Sequence, residues 1–438
     1  MNLRRNILPI IVLFFFFVGI LPAQETKQES ELAKKLKALP GITEVKEIRF
    51  DQKAFTEAYE VMIEQPVDHK NPNGEKFQQR FVLSHNDLTS PVMVETEGYA
   101  FRANFTMELT RILGGSQVIV EHRYFGRSWP KEINWKYCTI ENSANDLHRI
   151  VTALKQIYKG KFVSSGTSKG GQTTCYYKTF FPNDVDASVP YVAPINVSLE
   201  DPRIYIHLDT VGTAADRKKI LDFQIDMLKR SDEMIPLLKE EIAKKKMTFS
   251  RISIEEAYEL GLMEYEFTIW QYGAAKPADI PAPGSSKDIM FNHYKKVGGF
   301  DFFSDEGIKG TEAFFYQAFA EIGFYNYDIK QLKPYLKYAK DPDLSFMMPP
   351  GVKVDYNPAT LQKVYHFLQH EAENMIFVYG QYDTWSATGI ELTGRTNSIK
   401  VVGKEAFHGV RIKQLAPEQK ELIYNKLEEW LGVKVNRI

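Results

Sequence analysis

Apolar and polar positions change their period along this chain, and each change marks a different kind of structure. Over residues 42–50, 58–68 and 77–84 they alternate, with turn formers between, most clearly Lys70-Asn71-Pro72-Asn73-Gly74. Side chains two apart share one face of a strand, so these segments predict an antiparallel start to a sheet. From Pro91 onward, short strand segments at 92–96, 117–123, 162–165 and 188–195 alternate with helical periodicity around 104–112 and over 140–158 and 170–181. Strand and helix in alternation build crossover units, hence a parallel sheet. The alternation stops after residue 195. Residues 196–349 read as helical and polar with aromatic stripes, over 220–246, 254–270 and 311–327, interrupted by the proline-rich 277–284. Apolar strands resume at 374–380 and 398–402, and 417–431 has the periodicity of a closing amphipathic helix.

This pattern predicts an α/β core in two parts, 24–195 and 350–438, with a helical cap inserted at 196–349. In front of it, Arg4 and Arg5 precede an apolar run at 7–21 and then Pro22-Ala23. That is the form of a cleavable signal peptide over 1–23, which predicts export to the periplasm or beyond the cell. No later run approaches the roughly 18 apolar residues of a membrane helix, so no permanent span is expected once the leader is removed. A formal net charge of −1 and the lack of a basic stripe argue against nucleic acid as a partner. Cys138 and Cys175 are too few for a disulfide scaffold; one bridge between them and two buried thiols both fit an exported chain.

Candidate chemistry begins where the predicted strand at 162–165 runs into Gly166-Thr167-Ser168-Lys169-Gly170. G-x-S-x-G at a strand-to-helix junction is a nucleophile elbow: glycines flanking the serine let strand and helix approach closely, and the hydroxyl is lifted to the head of a helix. On such a sheet the acid and then the histidine follow in chain order. Asp383 stands just after the strand at 374–380, and His408 just after the strand at 398–402, where the loops of a parallel sheet gather functional groups. Glu391 is the other nearby acid, and the position directly behind a strand favours Asp383. Oxyanion donors are expected from the backbone N–H of Lys169 and from Gly98 or Tyr99, in the loop after 92–96. The chemistry calls for no metal or other cofactor. His366, His370 and Glu371 share a helix face, but the order is not H-E-x-x-H and no third ligand is evident, so they read as a solvated face.

Seven segments then carry a resemblance: QPVDHKNPNGEKFQQRF at 65–81, EGY at 97–99, EHRYFGRSWP at 121–130, DLHRI at 146–150, GTSKGG at 166–171, YQAFAEIGFY at 316–325 and GQYDTWSATG at 380–389. Together and in this order they resemble the set shared by secreted bacterial tripeptidyl aminopeptidases, which are similar in turn to the lysosomal prolyl carboxypeptidase and dipeptidyl peptidase group. GTSKGG and DLHRI are closer to the bacterial branch, while Thr384 and Phe319 stand where the lysosomal group has proline and cysteine. The resemblance implies an α/β-hydrolase core with a helical cap, a serine exopeptidase, peptide substrates and a preference for proline near the cleaved bond. An enzyme that releases N-terminal fragments must hold an ammonium group, for which Glu97 and Glu321 are the candidates. Trp385 and Phe125 are candidates to line the pocket for the residue before the cut. Glu121, His122 and Arg123 read equally as a structural ionic network and as chemistry. A carboxylic-ester hydrolase on the same triad and a prolyl carboxypeptidase-like activity are the alternatives; an ester hydrolase needs no ammonium-binding acid.

Overall fold

The computed structural model describes residues 29–438, and the expected leader at 1–23 lies outside the described residues. Nine strands form one sheet: β1 (Ile42–Glu47), β2 (Glu57–Pro66), β3 (Lys76–His85), β4 (Val92–Thr96), β5 (Ser116–Val120), β6 (Phe162–Thr167), β7 (Ala187–Tyr191), β8 (Ile376–Gly380) and β9 (Ile399–Gly403). Their order is β1-β2-β3-β5-β4-β6-β7-β8-β9. The β1-β2-β3-β5 edge is antiparallel, and every later pairing, from β5-β4 to β8-β9, is parallel. An antiparallel edge, a single inversion of β4 and β5, and crossovers thereafter make this an α/β-hydrolase sheet.

Both faces of the central parallel strands are covered, which is why the residues of β4, β5, β7 and β8 are buried throughout rather than at alternate positions. Strand β4 illustrates the division. Val92 and Val94 face a cluster with Phe81, Val118, Phe162 and the helix α3 side chains Leu147 and Val151, whereas Met93 faces the opposite cluster with Ile112, Ile376 and Leu427. Among the described residues the first eight helices are α1 (Glu31–Lys37), α2 (Glu108–Leu113), α3 (Ile140–Leu154), α4 (Lys169–Phe180), α5 (Pro202–Thr210), α6 (Ala214–Lys229), α7 (Ser231–Lys245) and α8 (Ile254–Tyr272). Five more follow as α9 (Lys287–Val297), α10 (Asp305–Lys309), α11 (Glu312–Gln317), α12 (Ala359–His370) and α13 (Pro417–Leu431). Between β7 and β8 the named elements are all helical, and they share one apolar cluster that includes Phe223, Tyr258, Trp270, Phe300 and Phe315.

Four elements differ from the expectation, each for a local reason. The apolar period at 220–246 belongs to two helices, α6 and α7, because Arg230 ends the first at φ −101° and ψ 20°. Strand β5 ends at Val120 rather than at 123, where the chain turns and Tyr124 takes a φ of 64°. Helix α2 starts at Glu108, since Asn104 spends its side chain on Ser84 of β3 at 3.0 Å. The helix expected at 311–327 passes into a π turn at Ala318–Ile322 and stops at Gly323. There φ is 71° and a Cβ would stand 2.3 Å from the Ser198 carbonyl oxygen, so only glycine lets the two segments meet.

Candidate active site

Strand β6 and helix α4 meet with a single residue between them, Ser168, at φ 60° and ψ −123°. A non-glycine residue in that region costs on the order of 1–3 kcal/mol and persists only where its neighbours enforce it. Here the Ser168 N–H donates to the Tyr191 carbonyl at 2.9 Å, and Gln172 N–H donates to the Ser168 carbonyl at 2.9 Å. A Cβ on Gly166 would lie 2.3 Å from the Gly170 backbone, and one on Gly170 would lie 2.5 Å from the Thr96 carbonyl oxygen. The glycine spacing is therefore what allows β4, β6 and α4 to close around the serine. Lys169 opens α4, so its N–H has no intrahelical acceptor.

Asp383 is 0% exposed and accepts a hydrogen bond from His408 Nδ1 at 2.8 Å. Its second oxygen accepts from Ser386 Oγ at 2.5 Å, and the Trp385 N–H donates to the first at 3.3 Å. A carboxylate accepting at Nδ1 fixes the tautomer of His408 and leaves Nε2 with its lone pair. Both loops are tied to α8: the His408 N–H donates to the Gln271 carbonyl at 2.8 Å, and Thr384 Oγ1 donates to the Phe267 carbonyl at 3.1 Å. Ser168 and His408 line one cavity of about 670 Å³, together with Tyr99, Lys169, Tyr272, Phe324 and Trp385. That size and aromatic lining suit a peptide segment. Glu391, the other acid considered, is exposed and pairs with Lys400 at 2.6 Å.

Gly98 packs directly on the elbow, where a Cβ would lie 2.5 Å from Lys169 Cβ and 2.7 Å from Gly170 N. The loop carrying Gly98 and Tyr99 is thus held against the start of α4. The Lys169 side chain turns inward to a buried site, its Nζ 3.3 Å from His122 Nε2 and over the rings of Tyr99 and Phe125 at 5.7 and 5.5 Å. Burial pushes its pKa down to about 7. A lysine depressed in the folded state resists the proton that the unfolded chain takes up, so stability is lost as pH falls from 10.5 toward 7. Lys169→Met should therefore gain in Tm over the parent protein by more at pH 7 than at pH 10. Thermal melts at the two pH values check this, and an equal difference at both would contradict it.

Arg123 is fully buried and bonds Asp146 through Nε and Nη2, both at 2.7 Å, and three backbone carbonyls besides. Glu121 accepts from Ser128 Oγ at 2.9 Å and also bonds Arg80 and the Arg127 and Phe101 N–H groups. His122 bonds the Arg123 carbonyl at 2.7 Å and Ser143 Oγ at 3.1 Å. Of the trio, none lines the cavity, and the partners are those of a loop-bracing network.

Three of the proposed substrate contacts stand elsewhere than expected. Glu97 borders a small polar recess with Gln79, Glu121 and Arg123 rather than the cavity. Glu321 lies within the π turn, which rotates it toward α3, and it accepts the Ile140 N–H at 2.5 Å. Phe125 is buried against Tyr99 and His122, with ring centroids 5.4 and 5.6 Å away. Trp385 lines the cavity and packs on Phe324 and Tyr325 at 5.4 and 5.3 Å. The cavity also contains an acid that the sequence reading passed over. Glu264, from α8, lines it and is buried, accepting hydrogen bonds from the hydroxyls of Tyr325 and Tyr327, each at 2.8 Å. Cys138 and Cys175 are both free buried thiols, with burial pushing Cys138 up to about 12. His366 and Glu371 stand exposed 3.5 Å apart, and no group of three metal-binding side chains occurs among the described residues.

Comparison with known proteins adds the family. Residues 25–438 match the family model of PS-10 peptidase S37. The chain is 30% identical over 421 residues to the prolyl tri/tetrapeptidyl aminopeptidase of Streptomyces mobaraensis, covering 94% of this chain and 87% of that one. In fold it is similar to the proline iminopeptidase of Mycobacterium smegmatis, at 12% identity and a TM-score of 0.44, covering 84% of this chain and 98% of that one. A prohormone-processing carboxypeptidase of Saccharomyces cerevisiae is similar over 91% of this chain and 95% of its own, at 13% identity and a TM-score of 0.40. With a match that runs over residues 25–438, this protein belongs to the PS-10 peptidase S37 family and is a serine-type peptidase on an α/β-hydrolase core.

Proposed function

We propose that this serine aminopeptidase is exported and releases short peptides, tripeptides with a preference for proline, from the free N-termini of its substrates. The observation that carries the proposal is that Ser168 and His408 line one cavity, with Asp383 hydrogen-bonded to the imidazole at 2.8 Å. The relative's preference, as its name states it, supports proline and a length of three or four residues. Trp385 and Phe324 offer flat aromatic faces in the cavity, against which a proline ring packs well.

In this mechanism Ser168 Oγ attacks the scissile carbonyl carbon while His408 Nε2 takes its proton. Asp383 holds the imidazole in the productive tautomer and stabilises the imidazolium. The Lys169 N–H, with the Gly98 or Tyr99 N–H opposite, stabilises the oxyanion. Each such donor contributes roughly 2.7–4 kcal/mol of transition-state stabilisation. His408 then returns the proton to the leaving amine, the C–N bond breaks, and water attacks the acyl-enzyme by the same route in reverse. Initial rates on a proline-containing chromogenic tripeptide, with its amine free and with it acetylated, test the proposal. Rapid cleavage of the free peptide and little of the blocked one is expected; equal rates would overturn the aminopeptidase assignment.

A further inference from the structure

We infer that Glu264 and Asn196 form the subsite that receives the α-ammonium group of the substrate's N-terminus. This rests on the aminopeptidase reading above and assigns it a place. Glu264 is 6% exposed, and Asn196 is 1% exposed. Both line the cavity that holds Ser168 and His408.

The Glu264 carboxylate is surrounded by hydroxyl donors and lacks a cation. Tyr325 OH lies 2.8 Å from both its oxygens, Tyr327 OH 2.8 Å from one, and Thr268 Oγ1 3.4 Å from the other. Among the described residues no lysine, arginine or histidine forms an ion pair with it, and Arg102, which also lines the cavity, is exposed. A buried carboxylate without a counter-ion is costly, and hydroxyl donors offset only part of that cost. Burial accordingly pushes Glu264 up to about 7. A cation arriving in the cavity supplies the missing partner.

Asn196 adds the second half. Its Nδ2 donates to the Ile322 carbonyl at 3.0 Å, which fixes the amide so that Oδ1 is the remaining acceptor, and that atom has no partner. An ammonium group carries charge and three N–H donors, matching one anionic and one neutral acceptor. An acylated N-terminus brings a single N–H and no charge. The donors to Glu264 are themselves held in place: Tyr325 stacks on Phe267 with centroids 4.0 Å apart and meets Trp385 edge-on at 5.3 Å. The carboxylate is thus oriented before substrate enters, which favours binding of a cation at one position over loose attraction.

Steady-state kinetics of the parent protein and Glu264→Gln test this with Ala-Ala-Pro-p-nitroanilide, its N-acetyl form, and an N-acetyl form with lysine at the first position. Glu264→Gln should lose about a hundredfold or more in kcat/KM on the free-amine peptide, mostly through KM, because one partner of a buried charge pair is removed. Its loss on the acetylated peptide should be far smaller, so the preference for a free amine collapses. Tyr327→Phe, which keeps the carboxylate and removes one donor, should raise KM for the free-amine peptide several-fold and serves if the glutamine variant does not fold. If both variants retain the parent's free-amine preference, the subsite lies elsewhere and the aminopeptidase reading survives. If the parent protein shows no such preference, that reading fails, and this subsite with it. Rescue of acetylated-peptide cleavage by lysine at the first position would assign the subsite to a side-chain amine and overturn the inference.

Discussion

Ser168→Ala is expected to lower kcat by about 10⁶ while leaving the fold and substrate binding in place. The size of the effect follows from the elbow. The mutation removes the one atom that forms the acyl-enzyme, but the φ of 60°, the backbone bond to Tyr191 at 2.9 Å and the glycines around it do not depend on the hydroxyl. A residual rate some 10³–10⁴-fold above the uncatalysed reaction should persist, supplied by the oxyanion donors and by substrate positioning. Single-turnover assays at high enzyme concentration measure it, and unchanged melting of the variant separates lost chemistry from lost structure. A loss of tenfold or less would mean that another group is the nucleophile.

Asp383→Asn should cost about 10⁴ in kcat with little change in KM. An amide in this place can present an N–H where the carboxylate accepts from His408 Nδ1 at 2.8 Å, which favours the imidazole tautomer whose Nε2 is protonated and cannot take the serine's proton. Ser386, whose Oγ donates to the other carboxylate oxygen at 2.5 Å, helps hold the amide oxygen on its side and so turns the NH₂ toward the histidine. Glu391→Gln is the control, since that acid is exposed and pairs with Lys400, and its kcat should stay within about twofold of the parent's. An inactive Glu391→Gln beside an active Asp383→Asn would exchange the two roles.

The parts of this fold that were legible in the sequence are those where burial imposes a simple pattern. β4 and β8 are buried on both faces and carry apolar runs, and the turn formers between the early strands mark the antiparallel edge. Ser168 was legible because its backbone conformation demands glycines at fixed offsets, and Asp383 and His408 because each follows a strand that the pattern locates. The carboxylates outside the triad were not. Glu321 was placed on a continuous helix, and a π turn at Ala318–Ile322 carries it toward Ile140 instead. For Phe125 the sequence leaves a pocket ring and core packing both open, and the turn at Tyr124 packs it against Tyr99. Glu264 passed unnoticed because an acid within a helix usually faces water. Its signal was nonetheless present: Leu260, Met263, Glu264 and Phe267 share one helix face, and the other three are buried apolar residues. A lone acid on an apolar stripe is a candidate for function.

Inactivation by diisopropyl fluorophosphate, followed by mass-spectrometric peptide mapping, tests the central claim most directly. Activity should fall in step with formation of a single phosphoryl adduct on Ser168, and the Ser168→Ala variant should take up none. An adduct on a different serine that tracks the loss of activity, or full activity with Ser168 stoichiometrically modified, would contradict the account.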